Sequence, residues 1–124
     1  MKPKKNTNFF TSFKHALSGI QRTAARERNF RIQVVIAIFF VIFCIIFQVD
    51  SWHFMGVVLS IFFVLSMELV NTAIEAVVDL VCKNTPHPLA KLAKDAAAGA
   101  VLLASFQAVI VGALVVMSVV RRYL

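Results

Sequence analysis

Only six acidic residues occur in this chain of 124 amino acids, and their positions hold most of its chemical information. Asp50 sits in a short polar stretch and reads as a solvated turn residue. The other five are Glu27, Glu68, Glu75, Asp79 and Asp95. Between Met67 and Leu80, the residues Glu68, Asn71, Glu75 and Asp79 follow one another at intervals of three, four and four. On a helix turning ~100° per residue they fall at roughly 0°, 300°, 340° and 20°, an arc of about 80°. Val70, Ile74, Val77 and Val78 take the other faces. One helix therefore carries a polar stripe ~16 Å long.

Three carboxylates and an amide in an apolar helix suit a charged ligand or a metal better than a structural ion pair. Magnesium takes hard oxygen ligands, often one or two carboxylates together with phosphates and waters. Glu75, toward the end of the apolar run, is placed to supply one. Glu68 lies deeper and is less solvated, and it is the candidate general base toward a lipid hydroxyl. Lys94, next to Asp95, can neutralise phosphate charge at the mouth of the last apolar run. Glu27 stands between Arg26 and Arg28. Neither of the glycine-rich phosphate loops GxxxxGK[ST] and GxGxxG occurs, so a nucleotide would be held by another architecture.

The elements that position these groups belong to a membrane. Hydrophobic residues make up 60% of the chain and mean hydropathy is +0.82, too apolar for a soluble domain of this length. Residues 1–8 form a polar, basic tail with Lys2, Lys4 and Lys5. Over 9–30, Phe10, Phe13, Leu17, Ile20 and Ala24 share one face, which predicts an amphipathic helix in the membrane interface. Spans are predicted over 32–49, 54–81 and 96–120. Trp52 in the Asp50–His53 turn suits the interface. Lys83–Lys94, with Pro86 and Pro88, reads as a loop that ends in a helix start at Leu89.

Eight of the thirteen Lys and Arg residues precede the first span, three lie between the second and third, and two end the chain. The positive-inside rule then predicts a cytoplasmic N-terminus and a cytoplasmic Lys83–Lys94 loop, with Arg121 and Arg122 a minor violation. No cleaved signal peptide is expected. Cys44 and Cys82 fall at different depths, which argues against a disulfide between them, and no zinc spacing exists. Ala96, Ala100, Ala104, Ala108 and Gly112 form a ridge of small residues every four positions. Such a ridge allows close helix approach, either within the chain or between copies.

The segment Glu68-Leu-Val-Asn-Thr-Ala-Ile-Glu-Ala-Val-Val-Asp79 resembles the signature of the small prokaryotic diacylglycerol kinase family. Ala93-Lys94-Asp95 resembles its second motif. Glu27-Arg28-Asn29-Phe30-Arg31 is similar to an element of the Gram-positive branch, whose members are chiefly undecaprenol kinases. The resemblance runs from about Phe13 to Val116. It implies an all-α membrane protein, an interfacial helix plus three spans, working as a homotrimer in the bacterial cell membrane with cytoplasmic sites partly shared between subunits. It implies ATP- and magnesium-dependent phosphorylation of a membrane alcohol, undecaprenol or alternatively diacylglycerol. Carried over by position, Glu68 is the base and Glu27 and Glu75 bind magnesium. His15, Glu27, Glu75, Thr85, Pro86, His87, Lys94 and Asp95 contact ATP, with Asn71 and Asp79 in support. Position 15 is tyrosine in many relatives. Some relatives carry an acid at position 33, where this chain has Gln33, and no role is assigned to it.

Two other classes compete. An ion-coupled exporter would use Glu68 to bind protons or cations, but its carboxylates would lie at the bilayer midplane, and here they gather at one membrane face. A non-catalytic membrane subunit would use the stripe to pair with a basic partner.

Overall fold

The computed structural model describes residues 8–124, and the chain is all helical over that range. The basic tail predicted over 1–8 lies, except for Asn8, outside the described residues. Four helices follow: α1 (Phe9–Arg26), α2 (Arg28–Ile46), α3 (Ser51–Cys82) and α4 (Pro88–Tyr123). The last three are long and apolar enough to cross a membrane.

Helix α1 begins where the Asn8 side chain accepts the Thr11 N–H at 2.8 Å, a standard N-cap bond. Its apolar residues Phe10, Phe13, Leu17 and Ile20 remain exposed, as an interfacial helix requires. Lys14 Nζ lies 5.2 Å from the Phe10 ring centre. The helix was predicted to run to residue 30, but it stops at Arg26. Glu27 alone is extended (φ −102°, ψ 112°), and α2 starts at the next residue.

The break is held by Arg31, one turn into α2. Its Nη1 donates to the carbonyls of Ala24 at 2.9 Å and Ala25 at 3.0 Å, two of the last acceptors of α1. Phe30 is buried beside this joint, as is Thr23, whose hydroxyl turns back to the Gly19 carbonyl at 2.9 Å.

The spans also differ in extent from their predicted limits. Helix α2 covers 28–46 where 32–49 was expected, because Gln48 adopts a left-handed conformation (φ 47°) that ends it. Arg122 Nη1 then donates to the Phe47 and Gln48 carbonyls at 3.0 and 3.1 Å. Ser51–His53, expected in a turn, forms the first turn of α3, with the Asp50 carboxylate accepting the His53 N–H at 3.3 Å. Helix α3 has 32 residues, or ~48 Å, so it outruns a ~30 Å hydrocarbon core. Lys83 and Asn84, at φ 47° and 66°, end it. The turn covers residues 83–87, and the next helix begins at Pro88, one residue before the expected start at Leu89. Pro88 suits the first turn of α4, where its missing N–H has no acceptor to lose, and the His87 side chain caps it.

Helices α3 and α4 form a hairpin packed along much of its length, and α2 lies mainly against α3. At the end near Asp50, Cys44, Val57 and Val115 make a buried cluster with Phe40, Phe43, Phe54 and Val111 around it. The small-residue ridge is used within the chain at Ala104, which is 0% exposed, and at Gly112, where an added Cβ would lie 3.4 Å from the Phe40 ring. Ala96, at the other end of the ridge, is exposed. Midway along the hairpin, Gln107 donates to Ser60 Oγ at 2.8 Å, and Ser60 donates on to the Gly56 carbonyl at 2.8 Å. The outward surface is almost wholly apolar, including Val35, Ile36, Phe39, Phe62, Leu103 and Val109. Such a surface is stable facing lipid and would be a liability in water. Cys44 and Cys82 are free thiols.

Candidate active site

The polar stripe of α3 is continuous, and other elements meet it at two points. Glu68 is the deepest member and only 3% exposed. From α2, Gln33 Nε2 donates to Glu68 Oε2 at 3.1 Å. The Thr72 hydroxyl donates to the Glu68 main-chain carbonyl at 3.0 Å, which leaves the carboxylate itself unaffected. One turn further on, Asn71 Nδ2 donates to Glu75 Oε1 at 3.3 Å. Two buried side-chain oxygens in this region, Gln33 Oε1 and Asn71 Oδ1, have no donor. Buried acceptors without partners are rare, and these two belong to the amides that hold the Glu68 and Glu75 carboxylates.

At the end of the stripe, Lys94 Nζ of α4 donates to Asp79 Oδ1 at 2.7 Å. Lys91 pairs with Asp95 one turn along α4. These groups border a cavity of about 680 Å³ at the α3–α4 turn, lined by Asp79, Thr85, Pro86, His87, Lys94 and Asp95 among others. Six residues predicted from sequence thus share one cavity. His87 uses Nδ1 to accept the Leu89 N–H at 3.1 Å, which leaves its Nε2 edge for a ligand. A second cavity, about 620 Å³ and apolar, lies between α3 and α4 against Met67, Val70, Ile74 and Val77.

His15 and Glu27 are not brought to this cavity. His15 is exposed on α1. Glu27 is half-buried at the α1–α2 joint, with Oε1 4.0 Å from Arg26 Nε. Among the described residues, no three of His, Cys, Asp and Glu gather closely enough to hold a metal. The donor chemistry still fits magnesium, which needs only one or two carboxylates when phosphate oxygens complete its shell. Asn71 Oδ1, an orphaned hard oxygen beside Glu75, is a further potential donor.

Residues 14–116 match the family described as prokaryotic diacylglycerol kinase. The chain belongs to that family. At the family level the reading as a membrane lipid kinase holds. The chain is 44% identical over 107 residues to the undecaprenol kinase of Bacillus subtilis, covering 86% of each. It is 41% identical over 105 residues to a diacylglycerol kinase of Synechocystis, covering 85% of this chain but 60% of that protein. A diacylglycerol kinase of Helicobacter pylori is 33% identical over 104 residues, with 82% and 80% covered.

Sequence reasoning missed two residues of the site. Gln33 was given no role, although a polar side chain in an otherwise apolar run was itself a signal. Arg31 was seen only as part of a short element, and its function as a helix cap needed the backbone.

Proposed function

We propose that this chain transfers the γ-phosphoryl group of ATP to the hydroxyl of a membrane lipid at the cytoplasmic interface, with undecaprenol as acceptor. The observation that carries the reading is the nearly sealed Glu68, which heads a polar stripe leading to the Lys94–Asp79 cavity. A carboxylate at that depth is costly and is kept where it acts. In this reading the lipid hydroxyl oxygen attacks the γ-phosphorus, its proton passes to Glu68, and the bond to the β-phosphate oxygen breaks to leave ADP. Lys94 and the residues around the 83–87 turn hold the nucleotide, with His15 on its base side. Glu27 and Glu75 hold magnesium, which when bound offsets the charge on the phosphates. Asn71 steadies Glu75, and Asp79 orients Lys94.

The reading includes a homotrimer. In support, His15 and Glu27 stand apart from the cavity within one chain, so a neighbouring copy that brings its own α1 alongside would complete the set. Undecaprenol is favoured because the Bacillus subtilis undecaprenol kinase and this chain each match over 86% of their length. Diacylglycerol is the second reading, supported by two relatives that carry that name.

Transfer from labelled ATP to each lipid at matched concentration in mixed micelles tests the proposal. Undecaprenol should be the better acceptor, and Glu68→Gln should reduce turnover by about 10²- to 10⁴-fold while both substrates still bind. Absence of transfer to any lipid alcohol would sink the kinase reading, and full activity in Glu68→Gln would remove the base.

A further inference from the structure

Gln33 is the only side chain from another helix that hydrogen-bonds the Glu68 carboxylate among the described residues. It occupies Oε2, and Oε1 accepts no hydrogen bond among those residues. The amide presents its N–H to the carboxylate and leaves its own oxygen buried without a donor. An amide oxygen turned toward a carboxylate would be repelled, whereas an N–H gives a charge-assisted bond. A buried amide that forgoes a partner for its own oxygen is oriented by its neighbour's needs.

We propose that Gln33 is a positioning residue for the base. By holding Glu68 Oε2, it fixes the carboxylate plane and leaves Oε1 as the one oxygen that takes the acceptor hydroxyl's proton. This rests on the reading of Glu68 as the base of a lipid kinase. The proton moves from the lipid oxygen to Oε1 as that oxygen bonds to phosphorus, and Gln33 gains and loses nothing. It acts only through Glu68. Its position supports that role, because it lies six residues after the Glu27 break, on the helix that Arg31 ties to α1.

The test is steady-state kinetics of the full chain in mixed micelles with labelled ATP and undecaprenol. Gln33→Met keeps the length of the side chain and removes the donor. Gln33→Asn keeps the amide but is too short to reach. Each should lower kcat by about tenfold or more with KM for ATP and for lipid unchanged. In a Glu68→Gln background, Gln33→Met should alter the residual rate by less than about twofold, since residues acting as one unit are not additive. A thermal transition in detergent checks folding, and if the Met variant does not fold the Asn variant carries the comparison. Wild-type kcat in the folded variants would overturn the proposal, as would full multiplication of the two effects in the double variant. A rise in lipid KM alone would make Gln33 a substrate contact instead. Wild-type rates in Glu68→Gln would instead refute the reading on which the proposal stands.

Discussion

Replacing Arg31 by Ala tests whether the α1–α2 joint is held by its carbonyl cap. Arg31 Nη1 donates at 2.9 and 3.0 Å to the Ala24 and Ala25 carbonyls, which have no acceptable donor within α1. Hydrogen bonds from charged donors contribute ~1.5–3 kcal/mol each, but Arg31 is exposed and the interface offers water in exchange. The pair together should then be worth about 1–2 kcal/mol, with a small addition from the cation's position at a helix C-terminus. That corresponds to roughly a 5- to 30-fold rise in the open population of the last turn of α1. Hydrogen exchange read by mass spectrometry should show that loss of protection in peptides spanning residues 20–26, with α3 and α4 unchanged. Glu27 sits at this joint, so the magnesium concentration for half-maximal activity should rise while the lipid KM stays constant. Unchanged exchange in α1 would refute the claim that the cap holds the break. Loosened exchange with an unchanged magnesium response would refute the link from the joint to Glu27.

The remaining predictions concern the cavity at the α3–α4 turn and the opposite end of the molecule. Lys94→Ala should raise the KM for ATP strongly and move the thermal transition little, because the Lys94–Asp79 pair is about half exposed and contributes little to folding. A large thermal shift would make the pair structural. Arg122→Ala leaves the Phe47 and Gln48 carbonyls without their donor and should cost about 1 kcal/mol, read as a lower thermal midpoint in detergent with kcat unchanged. The hydrogen bond with the His53 side chain holds the Asp50 carboxyl below the usual carboxylate range. Its contribution is therefore present above the unfolded carboxyl's value near ~3.9 and is lost as the pH falls through the lower folded value. Asp50→Asn, which keeps a capping oxygen, should flatten the acid side of the thermal-midpoint profile, and an unaltered profile would assign that loss to other groups.

The spans and the stripe were legible because each depends on a strong local pattern. Long apolar runs can only be buried or lipid-facing, and the 3-4-4 spacing of Glu68, Asn71, Glu75 and Asp79 has one reading on a helix. The ends were not legible, because propensity there is weak and long-range partners decide. Nothing local ends α1 at Arg26; the break needs Arg31 to reach back six and seven residues. Arg121 and Arg122 were read as a charge imbalance, yet Arg122 serves carbonyls about 75 positions earlier in the chain. Gln33 stood out as a polar side chain in an apolar run, but its partner, 35 residues away, was not legible. The end of the 83–87 turn was legible to within one residue, because prolines punctuate the chain there and Pro88 suits the first turn of a helix.

These long-range polar contacts share one physical origin. In lipid, apolar helix surfaces gain little by meeting each other, because the acyl chains are as apolar as the side chains they would replace. Helix α2 meets its neighbours far less extensively than α3 and α4 meet one another, and its outward face carries Val35, Ile36 and Phe39 against lipid. Hydrophobic packing alone would leave its height and rotation against α3 loosely set. The chain ties it instead at both ends, to α1 through Arg31 and to α4 through Arg122, using carbonyls that a helix end must satisfy in any case. Between those ties Gln33 meets Glu68, and just before them Glu27 is left in the one extended residue of the joint. The register of the site therefore rests on a few polar contacts, and removing Arg31 should disturb Glu27 and Gln33 before it disturbs the hairpin of α3 and α4.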